Sequence, residues 1–131
     1  MASSRSRVVL LDTSILFSIF EKKLPLLDDV TLELGKVEFV IPESVINELK
    51  KLSEHSKGSK RRMAKAILEY IRNEEFQIVK SEDINDADRD LVLLARKMNA
   101  VVATVDKDLI KLLKRESIDV ITWRYKRMRL I

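Results

Sequence analysis

Cysteine is absent from this chain, and histidine occurs once, at position 55. Disulfides, thiolate zinc sites, iron–sulfur clusters and cysteine nucleophiles are therefore excluded, and no multi-histidine metal site can be built within one chain. Glycine and proline occur twice each, so turn punctuation is scarce, and no linker, repeat or low-complexity segment is evident. Long apolar runs are missing too. The longest is Leu91 to Ala95, far short of the ~20 residues a spanning helix needs. The start, MASSRSRVVLLD, has too short an apolar stretch for a signal peptide. No membrane association is expected, and a cytoplasmic setting fits the lack of cysteine.

What is present is carboxylate, ammonium, guanidinium and hydroxyl. The 131 residues carry 21 Asp and Glu against 25 Lys and Arg, a net charge of +4, with 46% hydrophobic residues. That is too apolar for disorder, and the length is that of one domain. The basic residues are clustered. Between Glu48 and Lys65 lie seven of them against two acids, Lys57, Lys60, Arg61 and Arg62 included. The end of the chain, 123–131, reads as a basic tail with Arg124, Lys126, Arg127 and Arg129 set among Trp123 and Tyr125. Basic residues interleaved with aromatics suit phosphate contact and base stacking, although a solvated helix face and a frayed terminus would look the same.

Short apolar runs alternate with helical stretches. RVVLL (Arg7–Leu11), VEFVI (Val37–Ile41), a short run over 76–80, VVATV (Val101–Val105) and Ile118–Thr122 read as strands. Between them lie helical patterns after Thr13, which can serve as a cap, after Pro25 and after Pro42. Three more follow over 61–72, 87–98 and 107–115, and Ser53–Lys60 reads as a loop. Alternation of this kind implies parallel strands joined by right-handed crossovers. The expected fold is a single α/β domain, a three-layer α/β/α sandwich on a parallel sheet of about five strands.

Ligands of such folds bind beyond the carboxyl ends of the strands. Asp12 directly follows the first strand and Asp106 the fourth, although either could simply cap the next helix. Asp88 opens a helix with Leu91, Val92 and Ala95 on its own face, whereas Asp86 and Asp90 point elsewhere. Glu48 shares the apolar side of ESVINELKKL. Four carboxylates gathered at one edge would need a counter-ion, and an all-oxygen site suits Mg²⁺ or Mn²⁺. An acidic metal pocket rimmed by Lys and Arg is what phosphodiester hydrolysis requires. Position 14 is Ser where an aspartyl phosphohydrolase wants a second acid, and no phosphate-binding glycine loop occurs.

VVLLDTSILF (Val8–Phe17), IPESVINELKKL (Ile41–Leu52) and DADRDLVLLARKMNAVVATVDKDL (Asp86–Leu109) together resemble the PIN-domain ribonucleases. The resemblance implies a Mg²⁺- or Mn²⁺-dependent endoribonuclease that cuts single-stranded RNA to 5′-phosphate and 3′-hydroxyl ends. Asp12, Glu48, Asp88 and Asp106 take the catalytic and metal-ligating positions, with Thr13, Thr104 and Asp108 in support. The wording is closer to the branch that processes ribosomal RNA precursors than to toxins of toxin–antitoxin pairs. A toxin with its antitoxin, a ribosome-assembly partner and a non-catalytic RNA- or protein-binding module stay open as alternatives. So does a homodimer formed through Phe17, Phe20 and Leu24. Whether Asp86, Asp90 or Asp108 joins the metal site is also open.

Overall fold

In the computed structural model, residues 6–22, 25–74 and 76–131 are described. The β-branched run of the N-terminus forms β1 (Arg7–Leu11), followed by α1 (Thr13–Lys22) and α2 (Leu26–Leu34). Strand β2 (Val37–Pro42) leads into α3 (Glu43–His55), α4 (Gly58–Asn73) and the short β3 (Gln77–Val79). Then come α5 (Ala87–Met98), β4 (Val101–Ala103), α6 (Lys107–Arg115), β5 (Val120–Arg124) and β6 (Arg127–Leu130).

The strands form one sheet in the order β3-β2-β1-β4-β5-β6. The first five run parallel, as the alternating pattern requires, and β6 is antiparallel to β5. Side chains alternate across a strand, so each face of the sheet gathers its own core. Val9, Leu11, Val101 and Ala103 join Ile15, Leu16, Val45, Leu49 and Ile67 of α1, α3 and α4 on one face. Leu10 and Val102 join Leu91, Leu94, Leu109 and Leu113 of α5 and α6 on the other. These are the three layers.

Two stretches differ from the sequence expectation. The polar segment 53–60 is mostly helical, because α3 runs on to His55 and α4 starts at Gly58. Ser53 is buried and returns its hydroxyl to the Lys50 carbonyl within the helix. The presumed tail, 123–131, is instead the end of β5 and the strand β6. Met128 is buried, and the Leu130 N–H donates to Glu33 Oε2 of α2. Residues Tyr125 and Lys126 make the hairpin turn with φ of 51° and 65°, a conformation that usually selects Asn or Gly.

The dimer surface suggested by sequence is partly used up within the chain. Phe20 packs edge-on against Tyr70, ring centroids 5.0 Å apart. Phe17 packs against the first core. Leu24 lies outside the described residues.

Candidate active site

Strand order reverses between β1 and β4, which lie side by side with Leu11 opposite Ala103. This is the switch point where open α/β sheets leave a crevice at the carboxyl edge. Asp12 leaves β1 there and Thr104 leaves β4, so two residues 92 positions apart in sequence become hydrogen-bonded neighbours. The Thr104 hydroxyl donates to Asp12 Oδ2 at 2.7 Å.

The bland and the functional readings of the strand-terminal aspartates prove compatible. Asp12 accepts the Ile15 N–H through Oδ1 and so caps α1, a role the sequence offered to both Asp12 and Thr13. Asp106 caps α6, its Oδ1 accepting from the N–H groups of Asp108 and Leu109. Thr13 instead is the first residue of α1, and its hydroxyl donates to Glu48 Oε1 of α3. All four carboxylates nevertheless line one cavity of about 180 Å³, together with Thr13, Val45, Ala87 and Leu91. Asp12 is at its floor, 5% exposed, while Glu48, Asp88 and Asp106 are exposed at its mouth.

Ser14 was not picked out by sequence, yet it organises the floor. Its hydroxyl lies 2.9 Å from both oxygens of Asp12 and 3.1 Å from the Thr104 hydroxyl, and accepts the Val105 N–H at 3.0 Å. The Asp106 N–H in turn donates to the Thr104 hydroxyl. The loop after β1 and the loop after β4 are thus tied through two hydroxyls. The available signal was a small hydroxyl residue in the first turn of a helix, two places after a strand-terminal Asp.

Electrostatics records the crowding. Burial pushes the Asp12 carboxyl up from its ordinary 3.8 to about 6, against the lowering pull of its hydrogen bonds from Thr104, Ile15 and Ser14, and Asp106 raises it further. Asp88 is also raised, first by loss of water and then by repulsion from Asp106, Glu48, Asp86 and Asp108. Among the described residues, no Lys, Arg or His is paired with any of the four cavity acids. Nor, among the described residues, do any three acidic or histidine side chains stand close enough to form a ready ligand cluster. A hard divalent cation does not require one, because Mg²⁺ keeps several waters and takes only one or two carboxylates directly. Oxygen donors without a counter-charge are the set it fits.

The neighbouring acids are otherwise engaged. Asp86 caps α5 by accepting from the Arg89 N–H. Asp108 is exposed on α6, outside the cavity lining. Asp90 is wholly buried and accepts four hydrogen bonds, from the Ser44 and Ser81 hydroxyls and the N–H groups of Glu82 and Asp83. It joins α3, α5 and the segment before α5, and it is not part of the cavity.

The basic residues divide as well. Lys57, Lys60 and Arg62 are exposed at the start of α4, whereas Arg61 Nε donates to the Ser53 carbonyl at the end of α3. Arg124, Lys126 and Arg127 are exposed at the β5–β6 turn, beyond the same carboxyl edge as the acids. Arg129 is committed to the hairpin, donating to the Arg124 carbonyl and lying over the Tyr125 ring.

Known proteins share this fold. A family model described as a PIN-like domain matches residues 9–126. Among solved structures, the PIN domain endonuclease Utp24 superposes with a TM-score of 0.75 at 23% identity, over 94% of this chain and 90% of that one. VapBC-1 from nontypeable Haemophilus influenzae gives 0.64 at 16% identity, over 88% and 98%. A domain of a functionally unknown protein from Methanocaldococcus jannaschii gives 0.63 at 16%, over 91% and 92%. No curated protein matches the sequence. At such identities the structures speak for the fold alone, while the family model covers nearly the whole length: the chain belongs to the PIN-like domain family.

Proposed function

We propose that this protein is a Mg²⁺- or Mn²⁺-dependent endoribonuclease acting on single-stranded RNA, with precursor ribosomal RNA as its candidate substrate. One observation carries the reading. Four carboxylates from four separate segments line a single cavity at the sheet's switch point, and among the described residues no basic side chain pairs with them. The preference for ribosomal precursors over a toxin's targets rests on the motif wording around Ile41–Leu52 and Val101–Leu109.

Asp12, with Glu48, Asp88 and Asp106, would hold the cation. When bound, such an ion activates water and neutralises charge on the phosphate during an in-line displacement. Ser14 and Thr104 fix the plane of the Asp12 carboxylate. Thr13 holds one oxygen of Glu48 and leaves the other free to orient a water or take its proton. Lys60 supplies positive charge on the substrate side. Water adds to phosphorus and the bond to the 3′ oxygen breaks, which leaves a 5′-phosphate and a 3′-hydroxyl.

Cleavage of an unstructured RNA should require Mg²⁺ or Mn²⁺, stop with EDTA, and disappear in Asp12→Asn. Activity unchanged by both treatments would sink the proposal and favour a non-catalytic module, in which Asp12 and Asp106 serve only as helix caps.

A further inference from the structure

The acid cavity borders a larger groove of about 750 Å³ between α1, α3 and α4. The two share Thr13, Glu48 and Asp106. Away from the acids the groove is lined by Phe17 of α1, Leu52 of α3 and Met63 of α4, all only partly buried. Lys60 and Glu21 are its other charged lining residues.

We propose that this groove is a base-binding subsite. The base next to the scissile phosphate lies against Phe17, Leu52 and Met63, while Lys60 faces the adjoining phosphate. The inference rests on the nuclease reading and adds what the strand must present to the protein. A site built only to grip phosphate needs cationic and N–H groups, and three apolar side chains left partly open to water would be a liability there. A nucleotide offers both chemistries in succession, an anion and then a flat apolar face. Pocket size agrees, since ligand sites typically enclose about 300–1,000 Å³. In a duplex the base faces are covered by their stacked neighbours, so only an unpaired, splayed base can reach the floor. The groove therefore selects for an open strand, independently of the acids.

The test is a set of labelled, unstructured RNA oligonucleotides of one sequence, each with a single abasic nucleotide moved stepwise past the cut. With the wild-type chain and Mn²⁺, one position beside the cut should lose roughly 5- to 100-fold in kcat/KM, the range of a single base stacked on protein. Pairing that nucleotide with a complementary strand should have a similar effect. In Met63→Ala cleavage of the intact strand should fall toward that of the abasic strand, so that the abasic penalty shrinks, and Phe17→Leu serves as a second variant that stays apolar and removes only the ring face. A flat series, or equal cutting of duplex, overturns the subsite and leaves the groove to another occupant such as a partner's side chain. If no strand is cleaved the nuclease reading fails, and binding still decides the subsite. Equal affinity for intact and abasic-tract strands overturns it, and weaker binding of the abasic tract upholds it.

Discussion

Asp12 and Asp90 are both carboxylates withdrawn from water, 5% and 0% exposed, and they are partnered differently. A carboxylate offers about four acceptor directions. Asp90 fills them with four separate donors, two hydroxyls and two backbone N–H groups. Asp12 has three donors, with the Ser14 hydroxyl shared between its two oxygens, and it borders a cavity. Burial raises its pKa to about 6 in spite of those bonds. The Asp90 carboxylate is fully partnered within the protein, and Asp12 is left short of a partner. Burial by itself does not separate the two acids; an unfilled acceptor facing a cavity does.

The sharpest way to break this contrast is to remove each charge in turn. Asp12→Asn should lower RNA cleavage by about a thousandfold, on the order of 4 kcal/mol of transition-state stabilisation, with the fold retained by circular dichroism. Asp90→Ala should instead cost about 3–5 kcal/mol of unfolding free energy, because buried N–H and O–H groups lose their acceptor together. Urea melts and cleavage rates on both variants decide the matter. An Asp90→Ala protein of wild-type stability that no longer cuts RNA would move Asp90 into the site.

The contrast was only half legible in the sequence. A buried apolar run ending in Asp fixes Asp12 and Asp106 at the carboxyl edge, because in a parallel sheet every strand ends on that side. Helical period sets Asp88 apart from Asp90, and α5 spans Ala87–Met98 as the pattern implies. What Asp90 binds could not be read, since Ser44 lies 46 residues away on another helix, and serine carries no periodic signal. The β5–β6 hairpin was hidden for a different reason. Its turn is Tyr125-Lys126, both at positive φ, without the Gly or Asn that announces such turns, so charge alone was visible and the stretch read as a tail.

A titration sharpens the same comparison at somewhat smaller energy. The folded state holds the Asp12 proton more tightly than the unfolded chain does, with a pKa of about 6 against 3.8. Stability from this group is therefore full below the unfolded value and is lost as pH rises through the folded one. In EDTA, wild type should lose about 3 kcal/mol relative to Asp12→Asn between about pH 3 and pH 7. Saturating Mg²⁺ should recover much of that loss by binding the folded state alone. A difference independent of pH would mean that Asp12 is as well satisfied as Asp90.

The smallest effect belongs to the hydroxyls beside the two aspartates. Ser14 donates to Asp12 and accepts the Val105 N–H, and Ser81 donates to Asp90 and accepts the Ser44 N–H. The local chemistry is the same, a serine bridging a buried carboxylate to a backbone N–H on another segment. Ser14→Ala and Ser81→Ala should therefore destabilise the fold alike, by about 1–2 kcal/mol each. Their effects on cleavage should part. Releasing Asp12 to rotate should cost roughly 10- to 100-fold in activity, the usual effect of losing an outer partner of a metal ligand, and loosening Asp90 should cost little while the protein stays folded. Cleavage rates measured well below both melting temperatures check this. Equal losses in the two variants would mean that α5, and Asp88 with it, depends on the Asp90 clamp for its catalytic position.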